Sequence, residues 1–234
     1  MKKILLTLAT ALLSAVVSSA ATPQKYTMDV KDFTALSVVD GINVIYKAST
    51  DSAGLVTFTT RPELAPMILL SNNKGTLKVQ LQNDGTYFLK NLPTLTVYSA
   101  FLSKVENSGD STVTVNSPAP SAELSLRIVG NGRIEASGLH ATRIEAKTDA
   151  GKGHFALSGQ ASWVKLRTVG TGSIEAGALK AEKGSIFVGG TGSVDCWITG
   201  ELTISGLGSG KVYLKGTPKV KNRTLGTVKV VEVK

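Results

Sequence analysis

The chain is poor in the residues that build reactive or cross-linked sites. It has one cysteine in 234 residues, so neither an intramolecular disulfide nor a multi-cysteine zinc site can form. Two histidines are too few for a histidine-rich metal centre. Aromatic residues are only 6% of the chain, which leaves little for a stacking platform. No run of five like charges occurs, and the basic residues read as spread along the chain. The formal +9 therefore points to a solvated surface rather than a nucleic-acid site. Beyond the first twenty residues no segment shows the apolar period of an amphipathic helix. Hydrophobic residues make up 42%, and the 24 glycines exceed the usual share. That composition describes a glycine-punctuated all-β protein with a sizeable core.

Residues 1–20 read as a signal peptide. Met1-Lys2-Lys3 is a positive start, Ile4 to Val17 is apolar, and Ser18-Ser19-Ala20 offers the small residues that a signal peptidase reads. Cleavage after Ala20 or Ala21 is expected, with no transmembrane segment remaining. The apolar run is short for a membrane span. No cysteine follows it, which argues against a lipoprotein anchor. The expected location is the periplasm, the medium or the cell surface, and removal of Lys2 and Lys3 leaves a formal charge of +7.

The remaining chain, 21–234, reads as one domain. Across 33–116 apolar residues alternate at period two, as in Val44/Tyr46, Leu77/Val79/Leu81 and Val113/Val115. Turn clusters such as Asp40-Gly41 and Asn72-Asn73-Lys74-Gly75 separate these strands. Arg61 to Met67 contains Pro62 and Pro66 and reads as a loop or an irregular turn. From 123 to 234 the chain repeats. Gly130-Asn131-Gly132, Gly151-Lys152-Gly153, Gly170-Thr171-Gly172, Gly190-Thr191-Gly192 and Gly208-Ser209-Gly210 each sit between two short alternating strands. A degraded last copy lies at Leu225 to Val228. The period of about 18–21 residues predicts a β-solenoid with one repeat per coil. Stacking places Ile134, Phe155, Ile174, Val194, Val212 and Val228 in one inward column. Ala136, Leu157, Ala176, Cys196, Leu214 and Val230 form the next. Glu135, Ala156, Glu175, Asp195, Tyr213 and Lys229 point outward between them. Cys196 reads as a small buried hydrophobe.

The segments Phe33 to Leu36 and Val38 to Val44, the Gly-Thr-Gly and Gly-Ser-Gly series, and the close Leu202 to Pro218 resemble a bacterial family. It is the "putative autotransporter adhesin, head GIN domain" family, and the resemblance runs from Phe33 to the C-terminus. It implies a right-handed parallel β-helix-like fold in an exported protein, with the N-terminal strands continuing the stack. It brings no catalytic residues and no cofactor.

Candidate sites follow from the columns. Glu175 and Asp195 should be neighbours on adjacent coils, the spacing of a retaining glycosidase pair. No aromatic cleft accompanies them, so the ladder reads as a non-enzymatic contact surface together with Tyr213. Tyr87 and Phe88, beside Asn83-Asp84-Gly85, are placed by a turn and add to that surface. Trp163, Trp197 and Tyr98 are further candidates, each better explained as a core or edge-covering residue. Gly206 to Lys211 fails as a phosphate loop because Ser205 and Val212 stand where Gly and Ser/Thr are required. The expectation is an exported binding protein with a glycan or protein partner at the envelope. It has no cofactor, metal or nucleic acid, and self-association through the open solenoid ends remains open. A carboxylate-pair polysaccharide-degrading enzyme and a purely structural periplasmic protein are the alternatives.

Overall fold

The computed structural model describes residues 22–82 and 91–233. The strands are β1 (Gln24–Asp29), β2 (Ala35–Val38), β3 (Val44–Ala48), β4 (Leu55–Thr60), β5 (Ile68–Asn73), β6 (Thr76–Leu81), β7 (Leu95–Ser99), β8 (Lys104–Asn107) and β9 (Thr112–Asn116). They continue as β10 (Ser121–Ile128), β11 (Arg133–Asp149), β12 (His154–Gly170), β13 (Ser173–Gly190), β14 (Ser193–Gly208), β15 (Lys211–Lys215), β16 (Lys219–Gly226) and β17 (Lys229–Val233). The segment with Pro62 and Pro66 forms one 3-10 turn at Ala65–Met67. Proline fixes φ and withholds an N–H, so this stretch cannot join a ladder.

The fold is a β-solenoid with a curled, mixed N-terminal sheet. Sheet I runs β5-β6-β2-β8-β10, then the second halves of β11 to β14, then β16. Sheet II runs β1-β4-β7-β3-β9, then the first halves of β11 to β14, then β15 and β17. Pairing is parallel throughout the coils, while β1, β4 and β5 join antiparallel at the N-terminal end. One buried cluster runs between the sheets from Phe33 to Leu214, including Tyr46, Leu126, Phe155, Ile186 and Val194. Each such side chain gains about 1.5–3 kcal/mol from leaving water. No coil buries its apolar face without its neighbours, so stacking carries the stability.

Each Gly-x-Gly corner uses its two glycines for different reasons. The first has positive φ, +101° at Gly130 and Gly170 and +115° at Gly208, where a side chain is strained. The second packs against the coil beneath it. A Cβ on Gly192 would stand 2.4 Å from the Gly172 carbonyl oxygen, and one on Gly210 2.5 Å from that of Gly192. The opposite corner is not a turn. The strands run through it, and shifts in pairing register after Ala136, Ala156 and Ala176 absorb the bend.

Two readings of the sequence need correction. The N-terminal strands do continue the stack, but out of chain order. The coil β2–β3 lies between the coil β6–β7 and the coil β8–β9. The chain first lays down the second coil, returns through β4 and β5 to build the outermost coil, and then passes on to the third. Period-two patterning reports which face a residue occupies, not which coil is its neighbour. In the last coil the columns shift by two. Val230 stands over Val212, Val231 over Tyr213 and Glu232 over Leu214, while Lys229 follows Lys211. The cause is Val228, which holds the position of the missing second glycine. Counted from Gly226, the spacing matches that of the coil before.

Candidate functional site: the outer face of sheet II

The outward column of sheet II runs in register as Thr114, Glu135, Ala156, Glu175, Asp195, Tyr213 and Val231. The pairing predicted for Glu175, Asp195 and Tyr213 is therefore present, with strands spaced about 4.8 Å apart. Ala156 is the small member of the column. Above it and toward the bend opens a hollow of about 450 Å³, floored by Ala156, Leu157 and Ser158 and rimmed by Glu135, Glu175 and Asp195. Asn116 and Ser137 close one side, joined by a 3.1 Å hydrogen bond from Ser137 Oγ to Asn116 Oδ1. A second hollow, also about 450 Å³, continues between Glu175, Asp195, Ser193, Tyr213 and Val233. Glu175 and Asp195 thus form the ridge of one long groove.

The three carboxylates differ. Asp195 is half-buried, and the backbone N–H groups of Cys196 and Gly177 lie beside its carboxylate and favour the charged form. Gly177 leaves room for it: a Cβ there would lie 2.5 Å from Asp195 Oδ2. Burial pushes the Asp195 carboxyl above its ordinary range, and the neighbouring Glu175 charge adds to the rise. The backbone N–H groups and Lys215 act in the opposite sense. Glu175 is the exposed one, with 64% of its side chain open, and the imidazole of His154 lies beside it, its Nε2 3.9 Å from Oε2. The other ring nitrogen, Nδ1, shares a 2.8 Å hydrogen bond with Ser173 Oγ. Glu135 lies 3.7 Å from Arg133 Nη1.

Tyr87 and Phe88 lie outside the described residues. The other aromatic candidates serve as cover for the strands and as seats for cations. The Arg143 guanidinium stacks 3.9 Å over Trp163, and Trp197 is flanked by Lys215 at 4.2 Å and Lys180 at 5.5 Å. Tyr98 is half-buried beside the N-terminal coils. Cys196 is 1% exposed, and burial pushes its thiol up to about 12, so it is an inert core residue as expected. Sequence reasoning missed Ala156 and Gly177 as shapers of the groove. Their signal was a small residue at an outward position beside carboxylates. Among the described residues no group of three or more His, Cys, Asp or Glu is placed to hold a metal ion. None of the described helical segments is long and apolar enough to cross a membrane.

Residues 32–218 match the family model described as "Putative auto-transporter adhesin, head GIN domain". The chain belongs to this family. Solved structures of similar fold include a putative adhesin from Bacteroides fragilis, with TM-score 0.84 and 21% identity. A putative lipid binding protein from Parabacteroides distasonis superposes with TM-score 0.74 and 18% identity. A putative adhesin from Parabacteroides merdae does so with TM-score 0.67 and 22% identity. Each alignment covers 91% of this chain and 97% of the other. At these identities the likeness establishes a shared fold. A comparison with curated proteins finds no match.

Proposed function

We propose that this head GIN domain is an exported, non-catalytic binding protein of the bacterial envelope that takes a glycan in the sheet II groove. The observation that carries the reading is the hollow over Ala156. It combines an apolar floor with a rim of three carboxylates and the polar side chains of Asn116, Ser137 and Ser158. Carboxylates accept hydrogen bonds from vicinal hydroxyls, and a shallow apolar floor suits the faces of sugar rings. The leader-like residues 1–20 support export, and the adhesins of similar fold support a binding role.

Catalysis is disfavoured by the same geometry. The pair of Glu175 and Asp195 is unequal, as a general acid and its partner are, but it is not dry. Here Glu175 stands in solvent, and backbone N–H groups beside Asp195 favour its charged form over the protonated one that an acid needs. The test is a glycan-array screen at low and near-physiological salt, followed by Glu135→Gln/Glu175→Gln. Saturable binding that survives salt and falls at least about tenfold in the double variant supports the reading, since a lost charged hydrogen bond costs roughly 1.5–3 kcal/mol. Binding unaffected by the double variant, or cleavage of a bound glycan, overturns it.

A further inference from the structure

The two ends of the solenoid are finished differently. The N-terminal end is closed by the antiparallel strands β1, β4 and β5. At the C-terminal end, among the described residues, β16 pairs only with β14 and β17 only with β15, so each presents one edge of backbone N–H and C=O groups with no strand partner there. Among the described residues the inward positions of this coil meet no further coil, and Val220 and Val230 are exposed there. At the adjoining corner Leu207 and Leu225 stand in register, 56% and 70% exposed. Among the described residues, six of the eight exposed large hydrophobic residues lie between Leu207 and Val233.

Charge is concentrated at the same end. Residues 209–234 hold seven Lys or Arg against one acidic residue, Glu232, whereas 21–208 hold 17 basic and 16 acidic residues. The excess is therefore not spread along the chain, as a count of runs suggests, but gathered in the last coil. Lys219, Lys221 and Arg223 alternate along β16, all exposed, and Lys229 follows on β17.

We infer that this open end docks onto the surface of an anionic lipid bilayer. Exposed leucines at the end of a strand that carries lysine and arginine along its outward face are what an anionic interface binds. The apolar side chains enter the acyl boundary, and the cations meet headgroup phosphates. At headgroup depth the free edge stays hydrated, and its N–H groups can donate to phosphodiester oxygens, which the hydrocarbon region would not permit. A second copy fits less well. Two such ends would oppose equal positive charge. The N-terminal residues 22–82, with six basic and five acidic residues, supply no acidic counterpart. The inference uses a different surface from the groove and stands whether or not the groove takes a glycan.

The test is co-sedimentation of residues 21–234, which contain every coil, with vesicles at 0.15 M salt. One set is phosphatidylcholine alone, and the other is phosphatidylcholine with phosphatidylglycerol at 3:1. Binding should favour the anionic vesicles at least about tenfold. Each basic residue near such a surface is worth on the order of fivefold in partitioning. Lys219→Gln/Lys221→Gln/Arg223→Gln should therefore lose on the order of a hundredfold, and Leu207→Ser/Leu225→Ser about tenfold. All these side chains are exposed, so both variants should melt as the parent does, and Arg167→Gln, away from the end, should bind like the parent. Equal binding to both vesicle types, no binding, or unchanged binding of the triple variant overturns the inference. So does a parent that sediments as a dimer and is dissociated by Leu207→Ser/Leu225→Ser, because the occupant is then a second copy.

Discussion

The outer faces of the two sheets share a backbone and a core yet are finished in opposite ways. On sheet I the charges answer one another. Arg127 donates to Asp149 at 2.6 Å and to Glu106 at 3.3 Å, Lys165 meets Glu145 at 2.9 Å, and Arg143 lies 3.5 Å from Glu123. Arg167 stacks over Phe187. On sheet II the ladder places Glu175 beside Asp195, two like charges in adjacent strands, over a hollow made by Ala156. Like charges directly across a ladder are destabilising. Sheet I turns its charges on one another, apart from Arg143 Nε, which is buried with no hydrogen-bond partner among the described residues, whereas sheet II keeps a repulsive pair beside a hollow. This difference is the energetic argument behind the proposal that sheet II takes the ligand.

The comparison presumes a common core, and the largest expected effect tests that. Val194 is fully buried in the inward column of sheet II, between Ile174 and Val212. Val194→Asp places a carboxylate there without a partner and should cost several kcal/mol. Both faces should be lost in one transition, seen as simultaneous loss of strand circular dichroism and exposure of the Cys196 thiol to a thiol reagent. A soluble variant with native melting would mean that the column is misassigned. Next in size is Gly177→Ala, which acts on sheet II alone. The new Cβ displaces the Asp195 carboxylate from its place beside the Cys196 and Gly177 N–H groups, at about 1–2 kcal/mol. In an Asp195→Ala background the same change should cost much less, and a double-mutant cycle of denaturant midpoints reads the coupling.

Much of this contrast is legible in the sequence, and the boundary is physical. The spacing of the Gly-x-Gly pairs gives the columns directly, because one coil of a solenoid is one repeat. Glu175, Asp195 and Tyr213 become neighbours by counting, and Cys196 becomes a core residue. The inserted coil β2–β3 is invisible because strand order is decided by which edge a returning strand meets. The groove is invisible because it depends on Ala156, a residue unremarkable until the side chains on either side are known to be long. Val228 defeated the count in the last coil because one substituted glycine removes the marker. The basic end escaped notice for a simpler reason, that alternation along β16 breaks up what would otherwise read as a charge run.

Arg127→Met sharpens the comparison from the other side. It removes the central cation of sheet I and leaves Glu106 and Asp149 facing each other, though Lys104 at 3.5 Å and Lys147 at 3.9 Å remain near. The side chain is 35% exposed, so solvent screens much of the interaction and the cost should be about 1 kcal/mol. For a domain of this size that lowers the melting temperature by about 2–4 °C. High salt should narrow the gap between parent and variant. No change in melting temperature at low salt would mean that sheet I is not held by its charges.

The smallest expected effect carries the most information about the site. Glu175→Gln removes the repulsive neighbour of Asp195 without altering the shape of the groove. The Asp195 carboxyl should then titrate lower, nearer its ordinary range, while burial, the larger cause of its rise, remains. The consequence for stability has a definite sign. Between the ordinary aspartate range and the raised value, native Asp195 keeps a proton that the unfolded chain has released. Its contribution is therefore greatest at low pH and declines as pH rises through the raised value. Relieving the pair should make the variant a few tenths of a kcal/mol more stable than the parent at neutral pH, with the advantage vanishing in acid. Carbon-13 titration of the Asp195 carboxyl reads the first effect, and melting as a function of pH reads the second. An Asp195 that titrates at the same pH in both proteins would mean that the two carboxylates do not feel each other, and the energetic case for sheet II as the unsatisfied face would fall with it.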